Sequence, residues 1–257
     1  MHGRDMAEKV TLGIMQPYFF PYLGYFDLIN RCDRWIVFDV VSYAPKSWMN
    51  RNRILHPTQG WQYVSVPVDR HAGAGLISDV TLLDPQAAHD KIQGQIVHYR
   101  AAGAPGYAAV SSMISESFAG APSGLLRDLN VASLAAICAC LDIPFQYDNL
   151  SDLNLTLPEI PHAGAWALEI AHALGAQAYL NPPGGREIFR PAEWQERGIE
   201  LDFTNLVSFT YPTQRYEFVE HLSILDVLMW NPPGVVKAYL DSRKFSPLAP
   251  ALSSLCA

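Results

Sequence analysis

The chain has 257 residues, of which 49% are hydrophobic and 17% charged, and its formal net charge at pH 7 is −7. This length and apolar content allow a large buried core, and the acidic balance argues against a nucleic-acid partner, because nucleic-acid-binding domains usually present a basic face. The low share of charged residues is compatible with a homo-oligomer.

The cysteines and the hydropathy pattern indicate the compartment. Cys138 and Cys140 lie in an apolar run, and the single residue between them is too short a spacing for a zinc site, so we expect buried thiols in a reducing compartment. No apolar run reaches the length of about 18 residues that a membrane span needs. We therefore expect a cytoplasmic protein with no membrane segment, no metal and no cofactor.

The first elements follow a strand–helix–strand pattern. Residues 10–15 form a short apolar run that predicts a buried strand, residues 23–32 predict a helix, and residues 34–39 predict a second strand. Strands joined by one short helix are typical of a parallel sheet, so these two should be parallel neighbours. Residues 62–68 and 76–83 predict two more strands.

The middle of the chain predicts helices, and the α/β pattern returns after it. Residues 85–100 should form a helix capped by Asp84, and a leucine-rich stripe over residues 126–141 predicts another. Gly175 should end a later helix before strands at 176–181 and 199–203, and a last helix is predicted at 221–230.

The fold class expected from these elements is α/β, with a parallel-sheet N-terminal core, a mostly helical middle segment and an α/β return. We expect a flexible N-terminus over residues 1–9 and a loose tail over 246–257. Between them, residues 10–245 should form a single domain that contains a helical subdomain over about 85–143.

A dense polar and aromatic block separates the first strand from the first helix. Residues 15–26 contain two prolines, three tyrosines and a glycine. Ligands bind at the carboxyl ends of strands in open α/β sheets, and the following helix offers unpaired N–H groups to an anion. A binding loop is the favoured interpretation, and an aromatic turn that plugs the sheet end is the alternative. The candidates here are Gln16, Tyr18, Tyr22 and Tyr25.

Two further segments follow predicted strands. Residues 45–53 carry three positive charges and no acid, which suits the binding of phosphate or carboxylate, although a solvated basic loop is the alternative. The candidates in this loop are Trp48, Asn50, Arg51 and Arg53. After the strand at 176–181, Gly184 and Gly185 could offer backbone N–H groups to an anion. His71, in a glycine-flanked loop, is a candidate general base.

The spacing of prolines and glycine in the first block resembles a phosphate-binding loop of a known superfamily. Pro17-x-x-x-Pro21-x-x-Gly24-Tyr25 is similar to the phosphate loop of the nucleotidylyltransferase superfamily. That superfamily carries a His-x-x-His or Thr-x-x-His pair around the glycine, where this chain has Tyr22 and Tyr25. Tyrosine is neutral at pH 7, so the substitution argues against nucleotidyl transfer even on the same fold.

Motifs spread along the chain form a closer match to one family. They are Ile14-Met-Gln-Pro-Tyr-Phe-Phe-Pro-Tyr-Leu-Gly-Tyr-Phe26, Phe38-Asp39, Trp48-Met-Asn-Arg-Asn-Arg-Ile54, Leu129-Asn130, Tyr211-x-x-Gln214-x-x-x-Phe218 and Leu222-Ser-Ile-Leu-Asp226. Together they resemble the WbqC-like family over about residues 10–235. The family's Asp-Asp-x-Gln pattern is absent after Asp39, where Val40 and Val41 follow.

The family resemblance implies a transferase of O-antigen or natural-product biosynthesis. We favour acyl or aminoacyl transfer from a thioester donor to a small-molecule amine, with an acyl carrier protein as a possible partner. Asp39 is the expected base, Gln16 and Tyr22 the neutral donors, and one cleft should hold Gln16, Tyr18, Tyr22, Tyr25, Asp39, Asn50 and Arg51. The alternatives are a nucleotide-handling enzyme with a degenerate phosphate loop and a non-catalytic binding subunit of a biosynthetic complex.

Overall fold

The computed structural model describes residues 9–69 and 75–244. The strands are β1 (Thr11–Met15), β2 (Arg34–Val37), β3 (Arg51–Leu55), β4 (Trp61–Ser65), β5 (Tyr147–Asn149), β6 (Ala178–Asn181) and β7 (Glu200–Phe203). The α-helices are α1 (Leu23–Ile29), α2 (Pro85–Ala101), α3 (Tyr107–Ala119), α4 (Leu126–Cys140), α5 (Ala165–Ala173), α6 (Pro191–Glu196), α7 (Ile224–Trp230) and α8 (Pro233–Lys244). None of the helices within the described residues has the length and apolarity that crossing a membrane requires.

The main sheet is parallel throughout and has the order β5-β2-β1-β6-β7. The predicted α/β class and the parallel pairing of the first two strands are confirmed. At the centre, Gly13 of β1 pairs with Trp35 of β2 and with Leu180 of β6. A Cβ atom on Gly13 would lie 2.6 Å from the Trp35 ring, so the ring packs where a side chain would otherwise stand.

The strand order creates a crevice at one place. From β1 the chain builds the sheet outward through β2 and β5, and it then returns to the other side of β1 to add β6 and β7. Where the direction of growth reverses, the neighbouring connections leave in opposite directions and open a gap beyond the carboxyl ends of the strands. That gap lies between β1 and β6.

Two local predictions are wrong. Residues 76–83 are not a strand but a short 3₁₀ turn (Ile77–Asp79) flanked by isolated bridges, because a brief apolar run does not distinguish a strand from a buried turn. Residues 51–53, expected in a basic loop, belong to β3, which pairs antiparallel with β4 in a separate hairpin. The charge pattern concealed this strand, since buried Asn52 and Ile54 alternate with half-buried Arg51 and Arg53.

The predicted helices of the middle segment are confirmed. Asp84 caps α2 by accepting a hydrogen bond from the Ala87 amide at 2.9 Å. Helix α2 is tied to α7 through Asp226, which accepts hydrogen bonds from the hydroxyls of Tyr99 and Tyr211. Burial raises the pKa of Asp226 to about 6, and the two hydroxyl donors oppose that rise by favouring the charged form.

Strand β5 and helix α8 were not predicted. Strand β5 is only three residues long and polar. Helix α8 is held by an ion pair across the chain, in which Arg243 Nε lies 3.0 Å from the buried Asp27 carboxylate of α1. The expectations for residues 1–9 and 246–257 fall, apart from Lys9, outside the described residues.

Candidate functional site

A cleft of about 520 Å³ opens at the gap between β1 and β6, and we call it the switch-point cleft. Met15 ends β1 and Asn181 ends β6, and both line it. Its lining residues are Met15, Tyr18, Pro21, Tyr22, Tyr25, Trp48, Asn52, Arg53, Asn181, Pro182, Pro183, Gly184, Gly185, Ile188, Leu206 and His221. Three chain segments that the sequence analysis treated separately therefore meet at one concavity.

The three tyrosines of the first block share this cleft. The rings of Tyr18 and Tyr25 lie 5.7 Å apart, and the Tyr25 hydroxyl donates a hydrogen bond to the Gln16 carbonyl at 2.7 Å. Burial raises the pKa of Tyr18, Tyr22 and Tyr25, and for Tyr22 the charge of Asp27 adds to the effect. All three phenols therefore stay protonated near neutral pH and keep their O–H groups as donors.

The tyrosine loop is held rigidly by buried polar side chains. Phe20 has a positive φ of 38°, which is unfavourable for a bulky residue. Its carbonyl accepts hydrogen bonds from Asn52 Nδ2 at 2.9 Å and from Ser223 Oγ at 2.7 Å, and Asn130 Nδ2 donates to the Pro17 carbonyl at 2.8 Å. Backbone strain of this kind persists where the surroundings over-determine it, and it is concentrated at ligand sites.

Gly24 makes room for the Tyr22 ring. A Cβ atom at Gly24 would lie 2.4 Å from that ring, whereas a Cβ atom at Gly94 of α2 would meet nothing within 4 Å. These two helical glycines form a matched pair for substitution.

We expect Gly24→Ala to lower the free energy of unfolding by about 1–3 kcal/mol, because the methyl group forces the Tyr22 ring out of its place. Gly94→Ala should raise it by up to about 1 kcal/mol, because alanine loses less backbone entropy in a helix. Urea unfolding of both variants measures the difference. Equal stabilities of Gly24→Ala and the wild type would show that the ring is not confined.

The cleft mouth carries a cation between two tryptophans. The Arg53 guanidinium carbon lies 5.2 Å from the Trp61 ring centre and 5.6 Å from that of Trp48, and these indoles are about two-fifths exposed. Arg53 Nη2 also donates to the His221 carbonyl at 3.3 Å. Among the described lining residues Arg53 is the one permanent cation and none is acidic, so the mouth suits an anionic group.

Asn50 and Arg51 do not line the switch-point cleft, contrary to expectation. Asn50 Nδ2 donates to the Val66 carbonyl at 3.1 Å, and the Arg51 guanidinium stacks on Tyr63 at 4.2 Å. Arg53 lines the cleft and Arg51 does not, because the two residues lie two positions apart along β3, a separation of about 7 Å. Asn52, which lies in the same basic segment but was not among the named candidates, lines the cleft instead.

Gly184 and Gly185 also line the cleft. A Cβ atom on Gly185 would lie 2.5 Å from Asn181 Nδ2, and one on Gly184 would meet nothing within 4 Å. The Asn181 side chain is oriented by the Tyr179 hydroxyl, which donates to Asn181 Oδ1 at 2.7 Å. Gly185 therefore allows the loop to approach Asn181 closely.

His221 is a cleft residue that the sequence analysis did not single out. Its backbone has a positive φ of 56°, and its ring stands edge-on to the Tyr22 ring with 5.9 Å between the centres. It immediately precedes Leu222, the first residue of the Leu222–Asp226 motif that forms part of the family resemblance. That position is the only signal for it in the sequence, since its neighbours in the cleft lie far away along the chain.

Asp39 lies outside the cleft, which corrects the expectation that it shares a site with the tyrosines. It is fully buried, and its carboxylate accepts hydrogen bonds from Arg127 Nη1 at 3.0 Å, the Ser151 amide at 3.0 Å and Ser151 Oγ at 2.6 Å. A carboxylate so fully paired joins β2 to α4 and to the residues after β5. This geometry favours a structural role for Asp39.

The remaining candidates lie elsewhere. Gln16 lines a smaller cavity beside the cleft, and His71 lies outside the described residues. Cys32, a cysteine that was not among the site candidates, lies at the opposite edge of the sheet, and burial and the neighbouring Asp33 raise the pKa of its thiol, so it is a poor nucleophile. Within residues 9–69 and 75–244, no cluster of three His, Cys, Asp or Glu side chains could hold a metal ion.

Comparisons with known proteins agree with the motif pattern. A family model described as the WbqC-like protein family matches residues 16–238. The uncharacterized protein Rv1507c of Mycobacterium tuberculosis is 26% identical over 218 residues, which are 84% of this chain and 92% of that protein. No solved structure gives a significant match, so the resemblance to the nucleotidylyltransferase superfamily is not confirmed.

Proposed function

The chain belongs to the WbqC-like protein family, and we propose that it is a biosynthetic transferase that moves an acyl or aminoacyl group from a thioester donor to a small amine. The observation that carries the proposal is the aromatic switch-point cleft with Arg53 at its mouth. A phosphopantetheine donor has a long, uncharged arm and one phosphate. Such an arm suits apolar and aromatic walls, and its phosphate suits a guanidinium at the entrance.

The tyrosine hydroxyls are the proposed donors to the reacting carbonyl. Attack on a thioester places negative charge on the carbonyl oxygen, and fixed O–H or N–H donors stabilise that charge. Tyr18 and Tyr22 are kept protonated by the burial that raises the pKa of each, and the loop that carries them is rigid. Rigid donors need little reorganisation when the charge develops, so we propose this pair in place of Gln16 and Tyr22.

His221 is the proposed general base. A neutral amine forms the new C–N bond at the thioester carbon, the C–S bond breaks, and the proton lost by the amine passes through the imidazole to the departing thiolate. The imidazole lines the cleft beside Tyr22, so base and oxyanion donor lie next to each other. Asp39 is not proposed as the base, because its carboxylate is fully buried and paired with Arg127 and Ser151.

A carrier protein is the proposed source of the donor. Trp48, Trp61 and Leu206 are exposed at or beside the cleft mouth, with Leu206 71% accessible. Exposed tryptophans beside an arginine are typical of protein-binding surfaces. A carrier domain that docked there could pass its prosthetic arm between them into the cleft.

The proposal is tested by thiol release from a panel of acyl-pantetheine thioesters in the presence of small amines. We expect release that depends on the amine and yields the amide. The nucleotide-handling alternative replaces this proposal if no thioester is turned over and ATP binds in the cleft with micromolar affinity.

Arg53→Gln should raise the Michaelis constant for a phosphorylated pantetheine donor by about 10–100-fold with little change in turnover number, because charged hydrogen bonds contribute about 1.5–3 kcal/mol. Arg51→Gln is the matched control, since that side chain stacks on Tyr63 outside the cleft. Initial rates against donor concentration give both constants. Equal effects of the two substitutions would show that the charge of the hairpin, and not a contact at Arg53, binds the donor.

A further inference from the structure

A second cavity of about 190 Å³ adjoins the switch-point cleft, and we call it the side pocket. Met15, Tyr18, Asn181 and Ile188 line both cavities, so a shared wall separates them. The side pocket lies at the carboxyl ends of β1 and β6, where α5 and the segment around Phe189 cover it. The two cavities therefore lie side by side, with Tyr18 between them.

The lining of the side pocket is aromatic and uncharged. Phe38 and Trp166 meet edge to face with ring centres 5.5 Å apart, and the rings of Tyr179 and Phe189 lie 5.8 Å apart. Among its described lining residues none is charged, and the Gln16 amide is a polar group that can both donate and accept a hydrogen bond. An ionised group would lose part of its hydration here without meeting a counter-charge, which is unfavourable.

The volume sets the size of the group. An apolar cavity of about 150 Å³ engineered in another protein binds benzene, so a space of about 190 Å³ accepts one six-membered ring with a small substituent. The aromatic side chains around the pocket favour an aromatic ring over a flexible chain, because edge-to-face contacts between rings contribute binding free energy beyond that of buried apolar area.

We propose that the side pocket is a subsite for a single uncharged aromatic ring, and that this ring belongs to the acyl group transferred. Its role as an acyl subsite rests on the proposed transferase function, whereas its binding of an aryl group does not. With the ring in the side pocket and the pantetheine arm in the cleft, the thioester carbonyl lies at the shared wall, beside the Tyr18 hydroxyl. Gln16 then orients a polar substituent of the ring.

The binding test uses phenylacetamide, a neutral mimic of an aryl acyl group, and isothermal titration calorimetry. Ala167 of α5 lines the side pocket, and Ala173 lies exposed on the same helix. We expect Ala167→Met to weaken phenylacetamide binding at least 10-fold by occupying the space, and Ala173→Leu to leave it unchanged. Ala163→Met, at an exposed position that also lines the side pocket, supplies a second variant if Ala167→Met fails to fold.

The outcomes separate the subsite from the transferase function. Phenylacetamide binding that the filling substitutions abolish supports the aryl subsite even if no thioester is turned over, and in that case only the transferase proposal fails. The subsite is overturned if Ala167→Met and Ala163→Met bind phenylacetamide as the wild type does, or if succinamate, a smaller anion without a ring, binds equally well.

Discussion

Replacing Asp39 by asparagine is expected to lower the free energy of unfolding by about 3–5 kcal/mol, the usual effect of removing one partner from a buried ion pair. The carboxylate is fully buried, and the side chain of its partner Arg127 is only 12% exposed, so water cannot replace the lost contact. Arg127 keeps its ion pair with Asp128 at 2.9 Å, which places the expected loss at the lower end of this range. The Ser151 hydroxyl and amide would also lose a charged acceptor. Urea unfolding of Asp39→Asn measures the loss.

Asp152→Asn is the matched control for Asp39→Asn. Asp152 also faces Arg127, at 3.7 Å, but its side chain is 63% exposed, so we expect a change below about 1 kcal/mol. Wild-type stability of Asp39→Asn together with a 100-fold loss of turnover, the usual size of a lost base, would contradict the structural role. It would return Asp39 to the role of base that the sequence suggested.

Replacing His221 by asparagine is expected to lower the turnover number at least about 100-fold, which is the usual size of a general-base contribution. Asparagine tolerates the left-handed backbone that His221 adopts, so the substitution removes the imidazole without forcing the loop to move. The backbone carbonyl that accepts the Arg53 hydrogen bond remains. The Michaelis constant for the donor should change little.

Glu220→Gln controls for the loss of a polar group beside the cleft. The Glu220 carboxylate lies 3.9 Å from His221 Nε2 and is mostly exposed, so its effect should stay within a few-fold, as for other exposed ion pairs. Steady-state rates at saturating donor and amine compare the two variants. A turnover number of His221→Asn within a few-fold of the wild type would remove His221 from the mechanism.

The parts of the fold that could be predicted are those with local signals. The β1–α1–β2 unit follows from the alternation of a short apolar run, a helical period and a second run, and Asp84 caps α2 through a contact three residues away. The tyrosines of the first block could be placed together at one cleft because they follow a strand end. Placing them required nothing beyond the rule that parallel strands present their carboxyl ends at one edge.

The parts that could not be predicted depend on contacts between distant residues. Asp39 is paired with Arg127 and Ser151, which lie 88 and 112 residues away, and no local sequence pattern predicts such a pairing. His221 meets Arg53 across 168 residues. Arg51 and Arg53 looked equivalent in the sequence, and only the hairpin register and the stacking on Tyr63 separate them.

Rigidity connects the fold to the proposed chemistry. The tyrosine loop is fixed by side chains from three other elements, with Asn52 on β3, Asn130 on α4 and Ser223 at the start of α7. Each is buried and each donates to a loop carbonyl, so the loop that carries the proposed donors Tyr18 and Tyr22 is fixed before a ligand arrives. The family motifs around these three residues thus coincide with the supports of the cleft.

The most direct measurement is a crystal structure with a non-hydrolysable donor, in which an amide replaces the thioester of a phenylacetyl phosphopantetheine. We expect the analogue in the switch-point cleft, with its phosphate in hydrogen-bonding range of Arg53 and its carbonyl oxygen facing the hydroxyls of Tyr18 and Tyr22. An analogue bound at another surface, with the cleft empty at saturating concentration, would contradict the central claim that this cleft binds the donor.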